Sequence, residues 1–122
     1  MSGSRHAIEI KLRFWIEHRG EALLGSGRGT LLEAVAETGS ISAAARELGL
    51  SYATAWHRID SMNRAAGRPL VSRRTGGRGG GGTLLTPMGE AALEAFRLMK
   101  RRVEEFRERT AQEIEQVLGR RR

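Results

Sequence analysis

Apolar and polar residues alternate along the first part of the chain. Ile8, Ile10, Leu12, Phe14 and Ile16 share one side of an extended backbone, with Glu9, Lys11, Arg13 and Glu17 on the other. A helix over the same residues would scatter those five apolar side chains around its circumference. The alternation therefore predicts a β-hairpin over residues 7–25, with a turn at His18-Arg19-Gly20-Glu21 and a return strand from residue 22 to 24. Trp15 falls on the polar side, as a partly covered surface residue.

Beyond residue 25 the spacing changes to that of helices. Gly25-Ser26-Gly27-Arg28-Gly29 predicts a break and Thr30 a cap. Leu31, Leu32, Ala34, Val35 and Ala36 then form the apolar face of a first helix that stops at Gly39. Ser40 caps a second helix whose Ala43, Ala44 and Ala45 let a neighbouring helix approach closely. Gly49 suits a left-handed turn, with Leu50 plugging the gap beneath it, and Ser51 caps a third helix running to about residue 66, before Gly67 and Pro69. On that helix Tyr52, Ala55, Trp56, Ile59 and Met62 recur at threes and fours, which predicts an inward stripe with both aromatic rings in the core. Ala53, Thr54, His57, Arg58 and Ser61 are left facing outward.

Residues 70–74 predict a short strand and residues 83–86 its antiparallel return, around a glycine-rich connection at 75–82. Thr86-Pro87 supplies a cap and a first-turn proline for a final helix over residues 87–118. Its Ala92, Phe96, Met99, Val103 and Phe106 repeat at four and three, the spacing a partner helix requires. Phe96, Met99, Val103 and Phe106 are accordingly the expected dimer interface. The expected fold is mainly α with small β elements: a winged helix-turn-helix over residues 7–86 that includes the N-terminal hairpin, then a long C-terminal dimerisation helix. Residues 1–6 read as a flexible terminus and 119–122 as a basic tail.

Charge sharpens this picture. The 122 residues carry a formal net charge of +7, and only Lys11 and Lys100 of the 21 basic residues are lysines. Arginine's planar fork matches phosphates and guanine edges, although arginine richness also follows from a GC-rich genome. The excess lies in residues 40–82, where seven arginines face only Glu47 and Asp60. A polyanion would dock there. On the third helix the candidate contacts are Ser51, Ala53, Thr54, His57, Arg58 and Ser61, with Arg58 suited to a guanine and Thr54 to a thymine methyl or a phosphate. On the wing they are Arg73, Arg74, Thr75, Gly77, Arg78 and Gly79, neutralising phosphates or entering a minor groove.

Other chemistry finds little support. The chain has no cysteine, which excludes disulfides and thiolate metal sites. Asp60 is the only aspartate, and His6, His18 and His57 lie on different predicted elements, so no catalytic constellation or metal site is expected. No cofactor is implied. Residues 77–82 match G-x-G-x-x-G formally, but these glycines do not lead from a strand into a helix, so a dinucleotide site is rejected. No segment approaches the ~18 apolar residues of a membrane span, and a cytoplasmic location is expected.

One combination of motifs is specific. Glu37-Thr38-Gly39-Ser40-Ile41-Ser42-Ala43-Ala44-Ala45, Ser51-Tyr52 with Ala55-Trp56, Met62-Asn63, Pro69-Leu70-Val71, the run from Thr75 to Gly82, and Leu85-Thr86-Pro87 with Gly89 together resemble the DNA-binding half of the ModE family of molybdate-responsive transcription regulators. That half is related to the LysR-type winged helix, and the resemblance spans roughly residues 8–105. It implies a recognition helix at 51–65, a wing at 70–86, homodimerisation through terminal elements and a two-fold related site on double-stranded DNA. Full-length members add C-terminal molybdate-binding modules. This chain has no room for them, so no molybdate site is expected within it. Two other readings stay open: a sequence-indifferent architectural nucleic-acid binder, and a protein-interaction module using the last helix. The mixed polar face of the third helix favours a sequence-specific regulator over the former.

Overall fold

The computed structural model describes residues 7–77 and 80–120, with the backbone alone for residues 75–77, 80 and 81. Eight elements follow in order: β1 (Trp15–His18), β2 (Glu21–Gly25), α1 (Ser26–Thr38), α2 (Ile41–Glu47), α3 (Tyr52–Ala66), β3 (Val71–Gly77), β4 (Gly80–Leu85) and α4 (Pro87–Gly119). They divide into two compact units, Phe14–Phe96 and the described residues of Met1–Arg13 with Arg97–Arg122.

In the larger unit β1 and β2 form a tight antiparallel hairpin. Arg19 (φ 53°) and Gly20 (φ 83°) are its two turn residues, and two successive positive φ angles are what a type I′ turn demands. The expected hairpin is corrected at its other end. Residues 8–14 form no strand, and the ladder begins only at Trp15. Trp15 itself is 63% exposed. In the smaller unit the N-terminal segment lies on α4 instead, held by the Ala7 amide donating to Glu115 Oε2 (3.1 Å) and Arg107 Nε donating to the Ile10 carbonyl (2.7 Å). Alternation reports an extended chain with one side covered; the cover here is a helix, not a sister strand.

Helix α1 also differs from expectation. It begins at Ser26, with Gly25 as its cap and no side-chain capping bond, so Thr30 lies inside it. Glycine within a helix costs about 1 kcal/mol. Gly29 is nonetheless required: a Cβ there would collide with the ring of Phe96. Ser40 and Ser51 cap α2 and α3 as expected, their hydroxyls accepting from Ala43 N and Thr54 N at 3.0 Å each. Gly49 makes the inter-helix turn in the left-handed conformation, φ 68°.

Leu24, Leu31, Leu32, Ile59, Met62 and Phe96 are among the side chains fully buried in the core. Polar ties fasten the wing to it. Asn63 Oδ1 accepts from Leu70 N (2.8 Å), Thr83 N donates to the Gly39 carbonyl (2.8 Å), and Thr86 Oγ1 donates to the Pro69 carbonyl (2.7 Å) while accepting from Gly89 N (3.0 Å). Gly89 is sterically committed, because a Cβ there would strike the Leu70 carbonyl oxygen, already bonded to Thr86 N at 3.0 Å. Backbone cannot swing aside as a side chain can. Gly89→Ala is therefore expected to lower stability by about 1–3 kcal/mol, read as a reduced urea midpoint with unchanged slope.

Candidate nucleic-acid interface

The first turn of α3 leaves the body bare. Ser51, Ala53, Thr54 and His57 are exposed, while Ala55, Ile59 and Met62 hold the opposite face in the core. Ser51 Oγ caps the helix and donates to Thr54 Oγ1 (2.9 Å), which orients the threonine. The sequence places Arg58 and Ser61 on this same outward face, and the structure moves both toward α1. Arg58 is half-buried, its guanidinium lying over Gly27 so that a Cβ there would sit 3.3 Å from Nη1. Ser61 is half-buried and accepts a bond from Arg28 Nη2 at 3.1 Å. Arg28 thus joins the candidate surface. Sequence reasoning passed over it because a glycine-rich stretch reads as a break rather than as a helical first turn.

The stripe on α3 needs a second correction. Trp56 is half-buried and packs against the core, but Tyr52 is 53% exposed and is not a core residue. The two rings meet edge to face, with centroids 6.4 Å apart and planes at 76°. The core closes one turn further along, at Ala55 and Ile59.

Arg73 and Arg74 project from β3 at its paired end, opposite Thr83 and Gly82 of β4. Both are exposed, and neither is in an ion pair with a described residue. Arg74 lies across the contact between Gly39 and Gly82, where a Cβ on Gly82 would stand 2.7 Å from the Gly39 carbonyl oxygen. That close approach seats the wing base against the helix-turn-helix. Thr75 and Gly77 continue β3, and Arg78 and Gly79 lie outside the described residues. By contrast Asp60, the acidic residue on α3, is paired with Arg64 one turn on. The surface left over is cationic.

The expected dimer seam is split. Phe96 is 1% exposed and belongs to the core of its own chain, in contact with Phe14 at 6.2 Å between centroids, so it is removed from the seam. In the smaller unit Met99 and Val103 are half-buried and Phe106 is 54% exposed. Among the described residues no group of three or more metal-ligating side chains gathers, and no helix is long and apolar enough to cross a membrane.

Known proteins resemble this chain in sequence or in fold. The molybdenum-pterin-binding protein MopB of Rhodobacter capsulatus is 49% identical over 78 residues, covering 64% of this chain and 29% of that protein. The molybdenum transport protein ModE of Azotobacter vinelandii is 41% identical over 96 residues, covering 79% of this chain and 36% of its own length. The chain thus spans about a third of the length of these curated relatives. Among solved structures, that of the CbnR_DBD-DNA complex is similar with a TM-score of 0.60 and 25% identity, over 71% of this chain and 94% of the other. The family model for bacterial regulatory helix-turn-helix proteins of the lysR family matches residues 30–90, half of the sequence, and the chain belongs to that family.

Proposed function

We propose that this chain is a sequence-specific DNA-binding transcription regulator that acts as a homodimer, with α3 in the major groove and the β3–β4 wing on the backbone or minor groove. The observation that carries this reading is the bare N-terminal half of α3 beside Arg73 and Arg74 of β3, both exposed and in no ion pair with a described residue. Thr54 and His57 are the base-facing residues. Arg73, Arg74 and Arg58, with Arg28 beside it, hold phosphates on either flank. The CbnR_DBD-DNA complex, similar over most of this chain, supports a duplex as the partner. A single two-helix module reads few base pairs, so two copies reading half-sites ~34 Å apart supply the selectivity.

Selection of bound sequences from a random duplex pool tests the reading. The selected duplex should bind about 10³-fold or more tighter than random DNA at fixed salt, and equal affinities would leave only a sequence-indifferent binder. Substitutions then separate the two kinds of contact. His57→Ala should cost about 1–3 kcal/mol and relax preference at one position. Arg74→Ala and Arg58→Ala should weaken all sequences alike and lower the slope of log affinity against log salt by roughly 1 each. Identical behaviour of all three variants contradicts this division of roles.

A further inference from the structure

We propose that Tyr52 reads the C5-methyl group of a thymine, from a groove in which Arg73 and Arg74 grip the phosphates of the same strand. This deepens the duplex reading above and rests on it. The starting point is an anomaly of burial. Tyr52 falls on the apolar stripe of α3, yet it is 53% exposed, with its ring edge to face against Trp56. No hydrogen bond of its hydroxyl joins it to a described residue. A large ring held out in water at the first turn of the helix is explained by an occupant that covers it.

The surroundings say which occupant. Tyr52 and Trp56 of α3 and Arg73 and Arg74 of β3 line one groove of about 580 Å³, together with Ser42. Among the described residues no carboxylate lines it. Arginines and aromatic rings in one groove fit a strand of nucleic acid, which offers phosphate on one side and base on the other. Ala53 and Thr54, exposed beside Tyr52, add small apolar surface and one hydroxyl already bonded to Ser51. Within the major groove only thymine presents an apolar group, its methyl, to such a surface. The aromatic pair therefore selects thymine, and the arginines fix the strand's depth without selecting anything.

The test uses the full chain and its selected duplex, with each thymine replaced in turn by deoxyuridine. That change removes the methyl and keeps every hydrogen-bonding group. For the unaltered protein, one thymine per half-site should show a loss of about fourfold, the equivalent of one methyl taken from water. Tyr52→Ala should bind more weakly and lose that sensitivity, whereas Tyr52→Phe should keep it. The same deoxyuridine profile in the unaltered protein and in Tyr52→Ala overturns the assignment. So does unchanged affinity of Tyr52→Ala for the selected duplex. If the unaltered protein shows no preference for the selected duplex over random DNA, it is the underlying duplex reading that fails. Because the ring is exposed, the alanine variant should retain the helical circular dichroism of the parent, and a variant that does not is replaced in the comparison by Tyr52→Ser.

Discussion

A Phe106→Glu chain is expected to stay folded, to run as a monomer, and to bind the selected duplex about 10²–10⁴-fold more weakly than the unaltered protein. Phe106 is 54% exposed on α4, three and seven residues beyond Val103 and Met99, and apolar positions resume two turns later at Ile114 and Val117. The charged residues beside these positions are engaged along the helix itself, Arg102 with Glu105 at 3.2 Å and Arg107 with Glu104 at 3.0 Å. Phe106 and Val117 stay exposed while Met99, Val103 and Ile114 are half-buried, and the 4-3 spacing from Met99 to Phe106 suits the same residues on a second copy. A carboxylate placed in such a seam would have to be buried without a counter-charge, at a penalty of several kcal/mol, so separation is the cheaper outcome. The loss in DNA affinity follows because two tethered modules each raise the effective concentration of the other. Light scattering gives the mass and fluorescence anisotropy the affinity. A dimer mass for the variant removes the seam; a monomer mass with undiminished affinity removes the need for two copies.

The helix-turn-helix and the wing were legible because each boundary has a local chemical cause. Ser40 and Ser51 accept from the amides three residues on, Gly49 and Gly67 take left-handed angles, and Thr86 caps the helix that Pro87 begins. None of these needs knowledge of a distant contact. The errors share the opposite property. Alternation in residues 8–14 shows that one side is covered, and only the fold reveals that α4 rather than a strand covers it. Gly27 and Gly29 look like helix breakers until the ring of Phe96 is seen against the second of them. Tyr52 and Phe96 were exchanged for a related reason. Each lies on an apolar stripe at the correct interval, but a stripe carries no information on where along a helix the core begins and ends. The main core cluster starts at Ala55 on α3 and ends at Phe96 on α4. So the ring assigned to the core faces solvent, and the ring assigned to the dimer seam is core.

That relocation of Phe96 carries the largest expected change in stability. Phe96→Ala should lower the unfolding free energy by about 3–5 kcal/mol, a large part of the 5–15 kcal/mol typical of a domain. The ring is 1% exposed, abuts Phe14, and fills the space that Gly29 leaves on α1. Deleting it opens a cavity against α1, where the facing residue, Gly29, has no side chain to move into it. The complementary change tests the same contact from the other side. Gly29→Ala gains up to about 1 kcal/mol of helix propensity, but its methyl group would overlap the Phe96 ring, and overpacking of that kind costs about 1–3 kcal/mol. In a Phe96→Leu background the overlap is relieved, and Gly29→Ala should become neutral or stabilising. Urea unfolding of the four proteins closes the cycle. Additive effects would mean that Gly29 and Phe96 do not touch, and would return Phe96 to the dimer seam.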